Sequence, residues 1–181
     1  MRLNDKADSR RAILLASVGL TAGLSGAGWA WWRSQPLPGL QPNVQAFWEM
    51  RFEKPSGGEL LMQDFKGHPL LVNFWATWCP PCVEELPLLE SIWLKNGPKN
   101  PQVLGLAVDQ PSSVRPFLAR HSLTFPMGLA GLNGTELGRS LGNSVNALPY
   151  SVLFDAEGHM IAQKMGKLEA VDLAEWLKDL K

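Results

Sequence analysis

Cysteine is scarce in this chain of 181 residues, which holds only Cys79 and Cys82. Two thiols cannot build a disulfide-rich scaffold, and a bond closing so short a ring would restrain the unfolded chain very little. A purely structural staple is a poor reading of the pair. Net charge is also lacking, since 17 Lys and Arg balance 17 Asp and Glu. The charges are interspersed through the C-terminal part, so no electrostatic footprint for nucleic acid emerges. Internal repeats and low-complexity tracts are absent. The three histidines, His68, His121 and His159, fall on separate predicted elements and form no ligand motif.

One interval has no charge at all. Arg2, Lys6, Arg10 and Arg11 stand against Asp5 and Asp8, and the next charged residue is Arg33. The 21 residues 12–32 would form a helix roughly 31 Å long at about 1.5 Å per residue, close to the hydrocarbon thickness of a bilayer. Arginines ahead of the run hold that end in the cytoplasm, and Trp29, Trp31 and Trp32 fall where an aromatic belt meets the far interface. The following domain would then lie on the far side of the membrane, anchored to it. Small residues leave a cleavable signal peptide as the alternative, with Ser25-Gly26-Ala27 and Gly28-Trp29-Ala30 as small-x-small sites, and a soluble periplasmic product. Ser9-Arg10-Arg11 resembles a twin-arginine export signal. The reading is a signal-anchor or signal peptide at 1–33, a proline-rich spacer at 34–46 and one domain at 47–181.

Within that domain the pattern predicts a strand over Phe47–Phe52, a turn at Ser56-Gly57-Gly58 and a short strand over Glu59–Met62. The apolar run Pro69–Trp75 lacks alternation, as a central strand covered on both faces requires. A helix follows over Pro80–Lys95, with Pro80 and Pro81 in its first turn and Pro87 kinking it inside. Strand Gln102–Val108, helix Ser112–Ser122, strand Phe125–Leu129 and helix Gly134–Leu141 come next. The chain closes with strands Tyr150–Phe154 and His159–Met165 and a helix over Leu168–Leu180. Such alternation predicts an α/β fold, a mixed sheet with helices on both faces.

Cys79 falls at the corner where a buried strand gives way to a helix. Only a thiolate attacks a disulfide, and a helix N-terminus lowers a thiol's pKa through its unpaired amides and positive dipole end. As an N-cap, Cys79 would look to the amides two and three residues on. Pro81 has none, so the amide of Cys82 alone remains and the pKa falls only moderately. An attacking thiol works best with a pKa near ambient pH, which favours a reductant or exchanger over an oxidant. Cys79 is then the nucleophile and Cys82, one turn in and shielded, the resolving thiol. Glu85 is the nearest group to accept the Cys82 proton, whereas Glu84 reads as an ordinary acid of an early helical turn.

The string Phe74-Trp75-Ala76-Thr77-Trp78-Cys79-Pro80-Pro81-Cys82, with Glu85-Leu86-Pro87 behind it and Leu148-Pro149-Tyr150 at a strand start, resembles the thioredoxin-like family. It is most similar to the membrane-anchored TlpA/ResA/DsbE branch. The resemblance implies a thioredoxin fold with an N-terminal hairpin, an insertion near Asp109–Gly131, and a redox disulfide Cys79–Cys82. It also implies a cis-proline at Pro149 facing that disulfide, substrate contacts at Trp78, Pro80, Pro81 and Leu148, and no cofactor or metal. Asn73 stands where cytoplasmic thioredoxins carry a buried acid, which passes the proton-accepting role to Glu85. Trp75 reads as core. Implied partners are a disulfide-containing protein and a membrane-spanning electron donor, with cytochrome c maturation as one pathway the family serves. A disulfide oxidase or isomerase on the same fold is the alternative. From another class, C-x-x-C could bind Cu(I) or Zn(II), against which stands the lack of a second cysteine pair. A peroxidase would need a P-x-x-x-T-x-x-C context, which the chain does not contain.

Overall fold

The first element departs from the expected strand. In a computed structural model of the protein, which describes residues 44–96, 101–178 and 180, Val44–Trp48 is a short helix, α1, and the first strand, β1, is only Arg51–Glu53. The cause is the aromatic pair. Phe47 and Trp48 are adjacent and both buried, which a strand exposing alternate residues cannot manage. A helical turn lets both reach Phe154, Phe47 stacked on it and Trp48 edge-on, while Trp48 Nε1 donates to Gly158 O at 2.8 Å.

The remaining elements follow the predicted order. They are β2 (Glu59–Leu61), a 3-10 turn (Met62–Phe65), β3 (Leu70–Trp75), α2 (Pro80–Asn96), β4 (Gln102–Ala107) and α3 (Pro111–Arg120). Then come β5 (Met127–Leu129), α4 (Gly134–Ser140), β6 (Tyr150–Phe154), β7 (Met160–Met165) and α5 (Ala170–Trp176). The strands form one sheet in the order β2-β1-β5-β4-β3-β6-β7. β3, β4 and β5 are parallel; β1 pairs antiparallel with both β5 and β2, and β6 pairs antiparallel with both β3 and β7. This is a thioredoxin-like fold. β5, within the expected insertion, is what joins the hairpin to the rest, through the pair Glu53–Leu129. Arg115 of α3 reinforces that joint by donating to Glu53 Oε1 at 2.6 Å and to Pro55 O at 3.1 Å.

Every residue of β3, β4 and β6 is buried, as runs without alternation demand. Leu71 and Trp75 of β3 face a core with Leu86, Leu89 and Phe117, which also holds both cysteines. Leu70, Val72 and Phe74 face the opposite core, with α1 and Tyr150. At one end of the sheet Trp75, Ala107 and Leu129 lie level across β3, β4 and β5. Phe74, Tyr150 and Met165 are level across β3, β6 and β7 at the same end. Five connections therefore gather along one edge.

Among the described residues no helix is long and apolar enough to cross a membrane. The expected span at 12–32, and nearly all of the spacer, lie outside the described residues.

Candidate active site

Cys79 caps α2. Its carbonyl accepts the Val83 amide at 3.1 Å, its own amide donates to Ala76 O at 3.2 Å, and Pro80 begins the helix. With two prolines opening the first turn, the first amide a Cys79 sulfur can meet in the helix is that of Cys82. The cysteines are joined, with S–S 2.05 Å and Cα–Cα 5.3 Å. Cys79 retains 4% of its surface and Cys82 none. This exposure is smaller than a corner position suggests, because both cysteines are incorporated in the core and Leu148 packs against it. The asymmetry still determines the chemistry: a partner's sulfur can reach Cys79 only.

The loop carrying Cys79 is clamped from β4. Asp109, 5% exposed, accepts Thr77 N at 3.1 Å and Thr77 Oγ1 through one carboxylate oxygen, and Gln110 N at 2.7 Å through the other. Sequence reasoning missed this residue. Its signal was available: an acid at the end of a buried strand, level with the strand that leads into the cysteines.

Glu85 sits one turn beyond Cys82 and is 1% exposed. Its Oε1 accepts Asn73 Nδ2 at 2.6 Å, and its Oε2 accepts Leu168 N at 2.6 Å. Asn73 Nδ2 also donates to Ser151 Oγ at 2.9 Å, leaving Asn73 Oδ1 buried without a partner. Burial pushes the Glu85 pKa up from 4.5 to about 7, and the two donors with Lys167 and Lys164 offset only part of that rise. A carboxyl group of this kind can hold or release a proton near neutrality. Glu84 is exposed, as its ordinary reading requires, and pairs with Lys167 Nζ at 2.7 Å.

The Leu148–Pro149 peptide is cis, Pro149 is buried and Leu148 half-buried. Pro149 O accepts the amide of Gly166 at 2.8 Å. The turn Gly166-Lys167-Leu168 thus bonds in succession to the proline segment, to Glu84 and to Glu85. Trp78, 65% exposed, stands beside Cys79 with Pro80 and Pro81 exposed next to it, whereas Trp75 is fully buried. The histidines stay apart: His121 stacks on Phe117, His159 meets Asp155, and His68 is exposed. Among the described residues no cluster of three or more His, Cys, Asp or Glu could hold a metal ion. A cleft of about 540 Å³ lined by Leu60, Trp93, Leu118 and Phe125 lies on the hairpin side and touches neither cysteine.

Comparison with known proteins agrees with this geometry. The redoxin family matches residues 42–177. The chain is 32% identical over 125 residues to the thiol-disulfide oxidoreductase ResA of Bacillus thuringiensis subsp. konkukian, covering 68% of this chain and 70% of that one. Its fold is similar to StoA of Bacillus subtilis, with TM-score 0.57 and 25% identity over 70% of this chain and 94% of that chain. A thioredoxin-like structure from Neisseria meningitidis matches with TM-score 0.62 and 26% identity, over 72% of this chain and 86% of that one.

Proposed function

Since this chain belongs to the redoxin family and is a thiol-disulfide oxidoreductase of the ResA type, we propose that it acts as a reductant of protein disulfides outside the cytoplasmic membrane. The observation that carries the direction is the proline pair of α2. It leaves a Cys79 thiolate a single helical amide, that of Cys82, so the thiolate is stabilised moderately and its disulfide form is not a strong oxidant.

In this reading the reduced pair meets a substrate disulfide at Cys79. The Cys79 thiolate attacks one substrate sulfur, the substrate S–S bond breaks, and the departing thiolate takes a proton from water. Cys82 then gives its proton to Glu85 and attacks the Cys79 sulfur, closing Cys79–Cys82 and releasing the second substrate thiolate, which takes up the proton from Glu85. Two electrons leave the enzyme and the substrate gains two electrons and two protons. Glu85 suits the task because burial holds its pKa at about 7. Trp78, Pro80, Pro81, Leu148 and the cis Pro149 form the face that meets the substrate chain, with backbone pairing along the segment ahead of Pro149.

Residues 12–32 anchor the protein in the inner membrane with the domain in the periplasm. Re-reduction there calls for a membrane-spanning electron donor, and cytochrome c maturation is the pathway in which we place the activity. Three measurements test the reading. A Cys82→Ala variant should accumulate a mixed disulfide through Cys79, and a Cys79→Ser variant none. The potential of the pair should lie near or below about −250 mV, and a value near −120 mV would defeat the reductive direction. Fusion reporters after residue 46 should report a periplasmic domain.

A further inference from the structure

The redox edge exposes unusual side chains. Eight large apolar residues are exposed among those described, and four of them, Trp78 (65%), Leu132 (68%), Val145 (71%) and Met165 (45%), lie on the connections or strand end at this edge. Charge is sparse there. The segments 76–79, 130–133 and 142–149 contain none, Asp109 is buried against Thr77 and Gln110, Lys167 is paired with Glu84, and Glu169 is the exposed acid of the β7–α5 connection.

Two of these residues are held outward by built loops. Val145 sits at the tip of a loop closed by Asn143, which donates to Ala147 O at 2.8 Å and accepts Ala147 N at 2.9 Å. Leu132 follows Gly131, whose amide donates to Ala107 O at 3.1 Å, and Leu132 O accepts Thr135 Oγ1 at 2.9 Å. Keeping apolar groups in water on fixed backbone is unfavourable alone, and such preorganisation is recovered on binding. Leu132 follows β5, two strands from the cysteine loop, and Val145 precedes β6 on the other side. From β5 to β7 the edge spans about 19 Å at roughly 4.8 Å per strand, room for about six residues of extended chain.

We infer that this edge receives a disulfide carried on an apolar, uncharged stretch of a protein chain, with Leu132 and Val145 contacting its flanks on either side of Trp78. The inference rests on the reductase reading above and names the substrate class of that site. The occupant is a substrate chain because these residues share one sheet edge with the cysteine a substrate must reach.

The test uses the full-length reduced protein and three disulfide probes. Two are self-quenched peptide disulfides identical except for the residues flanking cysteine, Leu and Val in one, Ser and Asp in the other; the third is dithiobis(nitrobenzoate), which has no flanks. The expected kcat/KM ratio favours the apolar peptide about tenfold or more. Combining Leu132→Ser with Val145→Ser should reduce that ratio to near one. Leu94→Ser, equally exposed at the far end of α2, should leave it intact. Equal rates on the two peptides, or a ratio that survives the double substitution, would overturn the inference while turnover of the flankless probe left the reductase reading standing. A sedimenting dimer dissolved by the two serines would overturn it by giving the edge to a second copy. Failure on all three probes would sink the reductase reading and this inference with it.

Discussion

Replacing Glu85 with glutamine should stabilise the oxidised protein at alkaline pH and do almost nothing at pH 4. The sign follows from the raised pKa. Below 4.5 the carboxyl is protonated both folded and unfolded, and its contribution to stability is fully present. As pH climbs towards about 7 the unfolded chain ionises while the folded site resists, and stability is lost. The gap between 4.5 and about 7 amounts to roughly 3 kcal/mol at about 1.4 kcal/mol per tenfold change. Glutamine can fit the same cavity. Its oxygen keeps the Leu168 amide, and a turn of the Asn73 amide brings the unpartnered Asn73 Oδ1 to the new NH₂ and to the Ser151 hydroxyl. Urea unfolding of wild type and Glu85→Gln at pH 4 and 8.5 isolates the group, because every other titration is common to both. The variant's advantage should grow from near zero to roughly 3 kcal/mol, about 10 °C in Tm for a domain of this size. An advantage independent of pH, or one that shrinks as pH rises, would refute the reasoning.

Restoring an amide with Pro81→Ala should lower the Cys79 pKa by about one unit, since a hydrogen bond to a charged group contributes about 1.5–3 kcal/mol. The pH profile of alkylation reads it, and an unchanged profile would show that this amide does not meet the sulfur. Gly105→Ala places a methyl group against Met127 Sδ, 3.1 Å from Trp75 Nε1 and 3.2 Å from Phe125. It should cost about 1–3 kcal/mol in urea unfolding with the fold retained. Glu90 accepts Thr124 N at 2.8 Å and Thr124 Oγ1 at 2.5 Å, tying α2 to the segment that leads into β5. Glu90→Ala should therefore cost about 2 kcal/mol and speed amide exchange at Thr124.

What the sequence carried most clearly was local. An unalternating run marked β3, and the strand-to-helix corner with two prolines placed Cys79 at its cap. Alternation failed at Phe47 and Trp48, where both neighbours seek the core and the chain turns helical to let them. Contacts between distant segments were not legible. Asp109 lies 32 residues from Thr77 in the chain, and Leu168 lies 83 from Glu85. Glu85 reads from spacing as a helical acid near a cysteine, yet its depth, and hence its pKa, depends on β3 and the β7–α5 turn closing over it. Hydrophobic periodicity says nothing of the last two, because a backbone amide leaves no trace in residue type.

The turn Gly166–Leu168 links parts of the molecule that chemistry would treat separately. Three consecutive residues hold the carbonyl behind the cis bond, the outer glutamate and the inner one. A chain laid along the proline would meet one end of this strap, and the other end bears directly on the buried carboxyl group. The cis segment at the surface and the acid in the interior therefore share a single support.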